Sequence, residues 1–452
     1  MSTAYDCYVG ILTPSDELAA LSSLKMATAL GQVVLASQAS QRLGIPSRVY
    51  NLDVTNGTTA KGDMRQFMAG AKRPLFGLTL VAGNVRASLR LAHWIKSEFD
   101  DATVIVGGPE ITHSSARFLI CNQCIDAAVV GNAEKLIVDI VWSGIEGHPN
   151  TYTRLNPQPV LCETKFAYDQ VSPDYSLVYR LAEDHQGVSY LWAGDCQLSK
   201  NRCYFCARAC LGHWHRSAET VWKELQVPLR AGLTKYYNTA DTTGIYPTSE
   251  LLAARPKVFC HTAHKIFINA SQVDDKRAEI LHKMNAWAAV GIESLSNLAA
   301  AQKGKTTDDH NLRAVEILAE HDVKMVLTFV LGLPGETPAS LESNAGQLLK
   351  LVERYSQHIV MVTVSPLLVI IGSKAFNDMY KDAGRENFHL PDGTFYDPLR
   401  QSELYLQKYC SVSRQQIIEN IAYLYRAISN YSDIDMDSKG VSKAEKAYII
   451  TQ

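Results

Sequence analysis

The chain alternates short apolar runs with longer stretches in which apolar positions recur at helical spacing. Residues 8–12, 76–81, 103–106 and 126–130 are apolar along most of their length rather than at every second position, the pattern of strands covered on both faces, and residues 47–51 read as a further, more polar strand. Residues 17–43, ending at Gly44, read as the first intervening helix. Such alternation predicts a doubly wound parallel sheet, in which ligands lie beyond the carboxyl ends of the strands. From 147 to 184 the period loosens into Pro- and Tyr-containing sequence, including Pro157 and Pro159. A second series follows: residues 188–193, 235–239, 265–269, 287–291, 324–331 and 359–364 are six further strand candidates with helical stretches between them. Residues 415–428 again carry apolar positions at helical spacing. The expected organisation is an α/β chain with a doubly wound domain over 1–146, a linker over 147–186, a parallel-stranded domain over 187–370 and a helical extension over 371–452.

Composition narrows the possible partners. The 452 residues are 46% hydrophobic and 20% charged, ordinary for a globular protein long enough for two domains. Lys plus Arg number 44 against 46 Asp plus Glu, so no overall basic field argues for nucleic acid or an anionic membrane. A small-molecule substrate is the expectation. The start lacks the cationic and apolar order of a secretory signal, and no segment offers the roughly 18 apolar residues of a membrane span. A cytoplasmic location is therefore expected, where reducing conditions keep thiols free for metal rather than disulfides.

Ten cysteines are spread through the chain. Cys7, Cys162, Cys260 and Cys410 read as ordinary buried thiols. Cys121 and Cys124 have metal-like spacing but no second pair nearby, and read as buried helix thiols. Cys196, Cys203 and Cys206 differ, because they share one short segment directly after the apolar run 188–193 and the turn residues Gly194 and Asp195. Three thiolates can hold three irons of a cubane and leave one iron open for chemistry, whereas structural sites take four ligands. Cys203, Cys206 and Cys210 form a competing trio. His213 and His215 do not read as a metal site, since histidine is a common partly buried residue. In the first series, Gly107, Gly108 and Pro109 follow one strand and Gly131 another, which lets backbone approach a bulky ligand closely.

The cysteine trio with Phe205 before its last member, then Gly291, Ile292, Glu293 and Ser294, then Leu331 through Glu336, resembles the radical S-adenosylmethionine (radical SAM) enzymes, and specifically their cobalamin-binding branch. The usual spacing there is C-x3-C-x2-C with an aromatic before the last cysteine; here the first interval is six residues. The resemblance implies a Rossmann-like cobalamin-binding domain, a partial (β/α)6 barrel and a helical cap over the barrel mouth. It implies a 4Fe–4S cluster on Cys196, Cys203 and Cys206, with SAM at the open iron. Gly291, Glu293 and Ser294 would contact the ribose and carboxylate of SAM, Asp241 its amine, and Gly332 and Pro334 its adenine. Asn84, Gly107, Gly108, Pro109 and Gly131 would border cobalamin. Two departures stand out: Gly131 through Glu134 replaces a frequent Gly-Glu-Gly-Glu, and no Asp-x-His-x-x-Gly follows the first strand, so an imidazole ligand to cobalt is not expected. The implied reaction is reductive cleavage of SAM to a 5′-deoxyadenosyl radical, followed by cobalamin-dependent methylation of an unactivated carbon of a small-molecule natural product. An external electron donor such as flavodoxin or ferredoxin would serve it. The alternatives are a radical SAM dehydratase, cyclase or rearrangement enzyme with a vestigial first domain, and a non-catalytic cobalamin or iron–sulfur sensor.

Overall fold

The computed structural model describes residues 3–16, 18–20, 28–111, 115–162, 172–195, 203–207, 213–239, 245–298, 307–383 and 397–452. The first sheet contains β1 (Cys7–Leu12), β2 (Ser47–Asn51), β3 (Pro74–Thr79), β4 (Thr103–Gly107), β5 (Ala127–Val129) and β6 (Thr151–Thr153), in the order β2-β1-β3-β4-β5-β6. The first five run parallel and β6 is antiparallel to β5. All five strands expected in this region are present. Strands β1 and β3 are buried along nearly their whole length because helices cover both faces, which is why they are apolar throughout. The strand order turns back beside β1, making the crevice between β1 and β3 the switch point where such sheets bind ligands.

The first helix runs over Leu30–Leu43 and stops at Gly44, whose φ of 69° is left-handed. The expectation of a helix from residue 17 is corrected. Leu18–Ala20 is a strand, paired antiparallel with Lys439–Ser442 near the end of the chain. The Ser15 hydroxyl accepts the Leu18 amide at 2.8 Å, and the Asp16 amide donates to the Gly83 carbonyl at 2.9 Å. These tertiary bonds, with the distant ribbon partner, override the local helical pattern.

The interval 147–186 is more structured than its loose pattern suggests. It supplies β6, and its short turns Tyr175–Leu177 and Leu181–Asp184 pack between the two sheets. The Asp174 amide donates to Ser37 Oγ on the first helix at 2.8 Å, and Tyr175 Oη donates to the Ser189 carbonyl in the second sheet at 2.7 Å.

The second sheet is a parallel half-barrel of β7 (Val188–Tyr190), β8 (Lys235–Asn238), β9 (Ala263–Ile268), β10 (Ala286–Glu293), β11 (Lys324–Leu331), β12 (Ile359–Pro366) and β13 (Asp435–Asp437), adjacent in chain order. Six match the expected strands. The seventh comes from the tail, which also carries the helices Lys374–Ala383, Pro398–Tyr409 and Arg414–Ile428. Burial alternates along β9: His264, Ile266 and Ile268 lie under the helices, while Lys265 and Phe267 face the other way. On that inner face Phe267, Trp287, Ala289, Val326 and Met361 form a small cluster separate from the main core. No helix among the described residues is long and apolar enough to cross a membrane.

Candidate functional site

The cysteine segment is one loop. Ala193–Asp195 and His213–His215 pair antiparallel with Asp195 opposite His213, so every candidate cluster ligand lies within the connection that this ribbon closes. Cys203 and Cys206 sit on a turn, with the Cys206 amide donating to the Cys203 carbonyl at 3.0 Å, and both thiols are half-buried. Tyr204 anchors the turn: it is buried, its ring lies 6.1 Å from that of Tyr405, and its carbonyl accepts the Ala375 amide at 3.0 Å. Phe205 is half-buried against the core. Cys196, Cys210 and Asp241 lie outside the described residues, among which no group of three or more His, Cys, Asp or Glu could hold a metal.

The ribbon is fixed from behind by a buried ion pair. Arg216 donates to both carboxylate oxygens of Glu224, at 2.8 and 2.5 Å, and to the Leu191 carbonyl at 3.0 Å; the two side chains are 3% and 8% exposed. Ser172 Oγ donates to Glu224 at 3.0 Å. Burial pushes the Glu224 carboxyl up against the pull of Arg216. His215 Nε2 stands 3.5 Å from Glu250.

At the carboxyl end of β10, pairing with β11 shifts register between Gly291 and Glu293, and Glu293 is buried with a φ of 61°. A non-glycine residue held left-handed at a bulge is the kind of strain that persists where surroundings over-determine it. The surroundings here are two asparagines. Asn344 Oδ1 accepts the Leu295 amide at 2.6 Å and the Ser294 hydroxyl at 3.0 Å, while Asn311 Nδ2 donates to the Ile292 carbonyl at 2.9 Å and to the Ser294 carbonyl at 3.4 Å. Ser294 is fully buried and bonded into this scaffold. The sequence reading missed Asn311 and Asn344. Their signal was present: each interrupts an apolar helical stripe, Asn311 with Ala314, Val315 and Leu318, Asn344 with Leu341, Leu348 and Leu351.

The turn after β11 is a packed corner. Gly332 has a φ of 87°, and a Cβ there would stand 2.8 Å from Leu406 Cδ2. The Gly335 amide donates to the Tyr409 carbonyl at 2.9 Å and the Ser411 amide to the Glu336 carbonyl at 2.8 Å. Glu336 is fully buried, accepts the Gly332 amide at 3.2 Å and the Ser340 hydroxyl, and has its carboxyl pushed up by burial. Cys410 Sγ donates to the Leu333 carbonyl at 3.3 Å, and burial pushes this thiol up to about 11. Pro334 is half-buried between the two glycines.

A second group gathers at the first sheet. A cavity of about 200 Å³ lies between the carboxyl half of the sheet and the helices Leu30–Leu43 and Leu136–Ser143, with Gly107, Gly108 and Gly131 on its lining. Pro109 and Asn84 are not on it. Asn84 is instead a buried staple across the switch point: its Nδ2 donates to the Thr79 carbonyl at 2.9 Å and the Thr13 carbonyl at 3.4 Å, and its Oδ1 accepts the Val81 amide at 2.9 Å. Tyr8 Oη donates to Gln32 Oε1 and Gln32 Nε2 to Thr79 Oγ1, both at 2.7 Å, laying a polar chain along the cavity. Gly10 and Gly77 make room for it, since a Cβ at either would come within 2.6 Å of Gln32 Oε1 or 2.4 Å of Tyr8 Oη. Gly108, with a φ of 106°, passes so close to the backbone that a Cβ would stand 2.3 Å from the Leu80 carbonyl oxygen, whereas one at Gly107 would meet its nearest neighbour at 3.5 Å. Glu134 also lines the cavity, its carboxyl pushed up by burial.

The remaining cysteines divide. Cys7 and Cys124 are buried as expected, and Cys410 is half-buried. Cys162, Cys260 and Cys121 are corrections, being exposed. Cys162 and Cys260 sit in loop and turn positions after β6 and after Lys257–Phe259, where no apolar face draws them inward.

Residues 199–348 match the radical SAM superfamily, a stretch that includes Cys203, Cys206, Cys210 and both rim motifs and begins after Cys196. The chain thus carries a radical SAM domain, here joined to a Rossmann-like domain. The whole fold is similar to that of TsrM from Kitasatospora setae, a radical SAM methyltransferase solved with cobalamin and a [4Fe-4S] cluster: TM-score 0.67, 16% identity, covering 95% of this chain and 92% of that one. It is likewise similar to the cobalamin-dependent SAM radical enzyme OxsB, solved with aqua-cobalamin and SAM, with TM-score 0.67, 12% identity, and coverage of 99% of this chain and 70% of that one. In sequence, a non-reducing polyketide synthase, sorB, of Penicillium rubens is 29% identical over 135 residues, which are 29% of this chain and 5% of that protein's length.

Proposed function

We propose that the protein is a cobalamin-dependent radical SAM methyltransferase that transfers a methyl group to a carbon of a small-molecule substrate. The observation that carries this reading is the pairing, in one continuous chain, of a cysteine-rich loop after the first strand of a radical SAM half-barrel with a glycine-bordered cavity at the carboxyl edge of a doubly wound sheet. The donors fit: Cys203 and Cys206 stand on one turn and are half-buried, and Cys196 or Cys210 in the same loop would complete the trio. The cavity suits the planar arm of a cobalamin, with the Gly107–Gly108 backbone giving close approach. A volume of about 200 Å³ takes such an arm and not a corrin ring, which would lie outside at the sheet edge. When bound, the cluster and cobalamin would supply the radical and methyl-carrying chemistry. The chain's own residues do the rest. In this reading Glu293, held by the Asn311 and Asn344 clamps, would orient the nucleoside of SAM, and the buried Gly332–Glu336 corner would border its adenine.

The test is anaerobic reconstitution with iron, sulfide and hydroxocobalamin, followed by metal analysis. About four irons and about one cobalt per chain are expected. With methyl-deuterated SAM and a chemical reductant, a labelled methyl group should appear in a carbon-methylated product of a cell extract from which small molecules are supplied. Four irons without cobalt would shift the reading to a radical dehydratase, cyclase or rearrangement enzyme; absence of iron would remove it.

A further inference from the structure

The inner face of the half-barrel holds a charge that the proposed chemistry does not use. Lys265, on the third strand of the barrel, points into the concavity from between two aromatic rings, its Nζ 5.5 Å from the centroid of Tyr237 and 5.7 Å from that of Phe267. Neighbouring inner-face positions are apolar: Trp287 lies beside it in register, and Ala289, Val326 and Met361 continue the wall. Among the described residues no oxygen accepts a hydrogen bond from this ammonium and no carboxylate reaches ion-pair distance.

Other charges lie nearby among the described residues. Lys235 Nζ lies over the Trp287 ring at 5.8 Å, and Lys324 Nζ donates to the Gln357 carbonyl at 2.7 Å. Asp437 on the last barrel strand attracts the Lys265 charge and Lys439 just beyond repels it. Burial is the largest influence and, with Lys439, lowers Lys265 to about 8. Aromatic faces stabilise the cation but leave its three N–H donors without oxygen acceptors, an arrangement that becomes favourable once an anion supplies them.

We propose that Lys265 binds the carboxylate of a small molecule seated in the half-barrel, and so selects an acid over the corresponding neutral compound. The proposal rests on the reading of the barrel as the substrate chamber. Two molecules could bring the carboxylate: the substrate, or SAM through its methionine moiety. A charge-assisted bond made inside an apolar wall discriminates strongly, since the neutral isostere leaves the ammonium buried and unmet.

The experiment compares wild type, Lys265→Met and Lys265→Arg as reconstituted full-length protein, with iron and cobalt content measured on each sample. Binding of benzoate, 3-phenylpropionate and L-tryptophan, each against its carboxamide, is followed by calorimetry at pH 7, and SAM binding is followed separately. In wild type, at least one acid should bind roughly ten-fold or more tightly than its amide, with the preference lost in Lys265→Met and partly kept in Lys265→Arg, while SAM affinity holds. A ten-fold loss of SAM affinity in Lys265→Met, with no acid preference in the panel, would support the same site with SAM as the carboxylate's source. No acid preference together with unchanged SAM affinity overturns the proposal. The acid preference should also fade above pH about 8 as the ammonium of Lys265 loses its proton. Metal contents separate the two readings: iron-free wild-type protein counts against the cofactor assignment, and binding to the panel reads Lys265 regardless.

Discussion

Replacing Arg216 with methionine removes the guanidinium and leaves Glu224 buried beside an apolar side chain. The bonds lost from Arg216 include two to Glu224, at 2.8 and 2.5 Å, and one to the Leu191 carbonyl at 3.0 Å. Among the described residues, the Ser172 hydroxyl at 3.0 Å is then the one side-chain donor left to Glu224. Breaking a buried pair from one side costs about 3–5 kcal/mol, because the surviving charge has neither water nor partner. For a unit the size of the barrel that is a fall in melting temperature of roughly 6–20 °C. Glu224 has a way out, since its carboxyl is already pushed up by burial. Without Arg216 it would take up a proton, so the destabilisation of Arg216→Met should be smaller at pH 5 than at pH 7.5. The double variant Arg216→Met, Glu224→Leu should recover to within about 1 kcal/mol of wild type, since hydrophobic replacement of a whole buried pair is often neutral. Calorimetric or circular-dichroism melts of the four proteins give the coupling energy by a double-mutant cycle, expected at about 3 kcal/mol. Because Arg216 directly follows the ribbon that closes the cysteine loop, the single variant should also lose reconstituted iron. A single variant melting within about 2 °C of wild type would refute the reasoning, since by the scaling above that is less than about 1 kcal/mol.

Other substitutions separate roles that lie close together in the chain. Gly108→Ala, forced against the Leu80 carbonyl at 2.3 Å with a φ of 106°, should destabilise the first domain by about 3 kcal/mol or more, measured by urea denaturation, and so reports packing rather than cofactor contact. Gly107→Ala, with 3.5 Å of clearance, should keep the fold within about 1 kcal/mol and weaken cobalamin uptake if backbone approach there matters. Asn344→Leu, which removes the acceptor of the Leu295 amide and Ser294 hydroxyl, should raise the apparent Kd for SAM several-fold with iron content unchanged. Cys196→Ala should abolish SAM turnover while Cys210→Ala retains it; the reverse would assign the trio to Cys203, Cys206 and Cys210. His264, fully buried against Tyr236 and Thr262, is held down to about 3 by burial, below its ordinary 6.5. The unfolded chain therefore binds the extra proton first, stability falls as pH drops from about 6.5 toward 3, and His264→Phe should flatten that part of a pH–stability curve.

Strands were the most legible part of the molecule, because parallel strands covered on both faces must be apolar through their length. Residues 76–81 and 324–331 announce themselves in this way. Leu18–Ala20 did not, since its conformation depends on a partner some 400 residues later, and local pattern carries no trace of such pairing. Likewise Asp435–Asp437 is polar and only three residues long, yet completes the barrel. At the candidate site, glycine-containing turns and clustered thiols could be read from spacing. What each glycine is for could not: Gly332 clears room for Leu406 and Gly108 for the Leu80 carbonyl, facts that exist only after helices and strands have docked. Lys265 was hidden for a related reason. Its position as the third residue of an apolar-alternating strand makes it look like an ordinary solvent-facing lysine until the sheet curls and turns that face inward.

The pairing of Leu18–Ala20 with Lys439–Ser442 also sets an order of assembly. While the chain is being made, the first sheet can form early, but β12 remains an open edge until residues 435–442 have been synthesised. An unpaired β edge invites pairing with other chains. The nascent protein therefore passes through a stage at which the barrel is nearly whole and at its most aggregation-prone, and it leaves that stage only when the last strand and the ribbon beyond it arrive together. Removing residues 435–442 should for this reason lower the recovery of soluble protein.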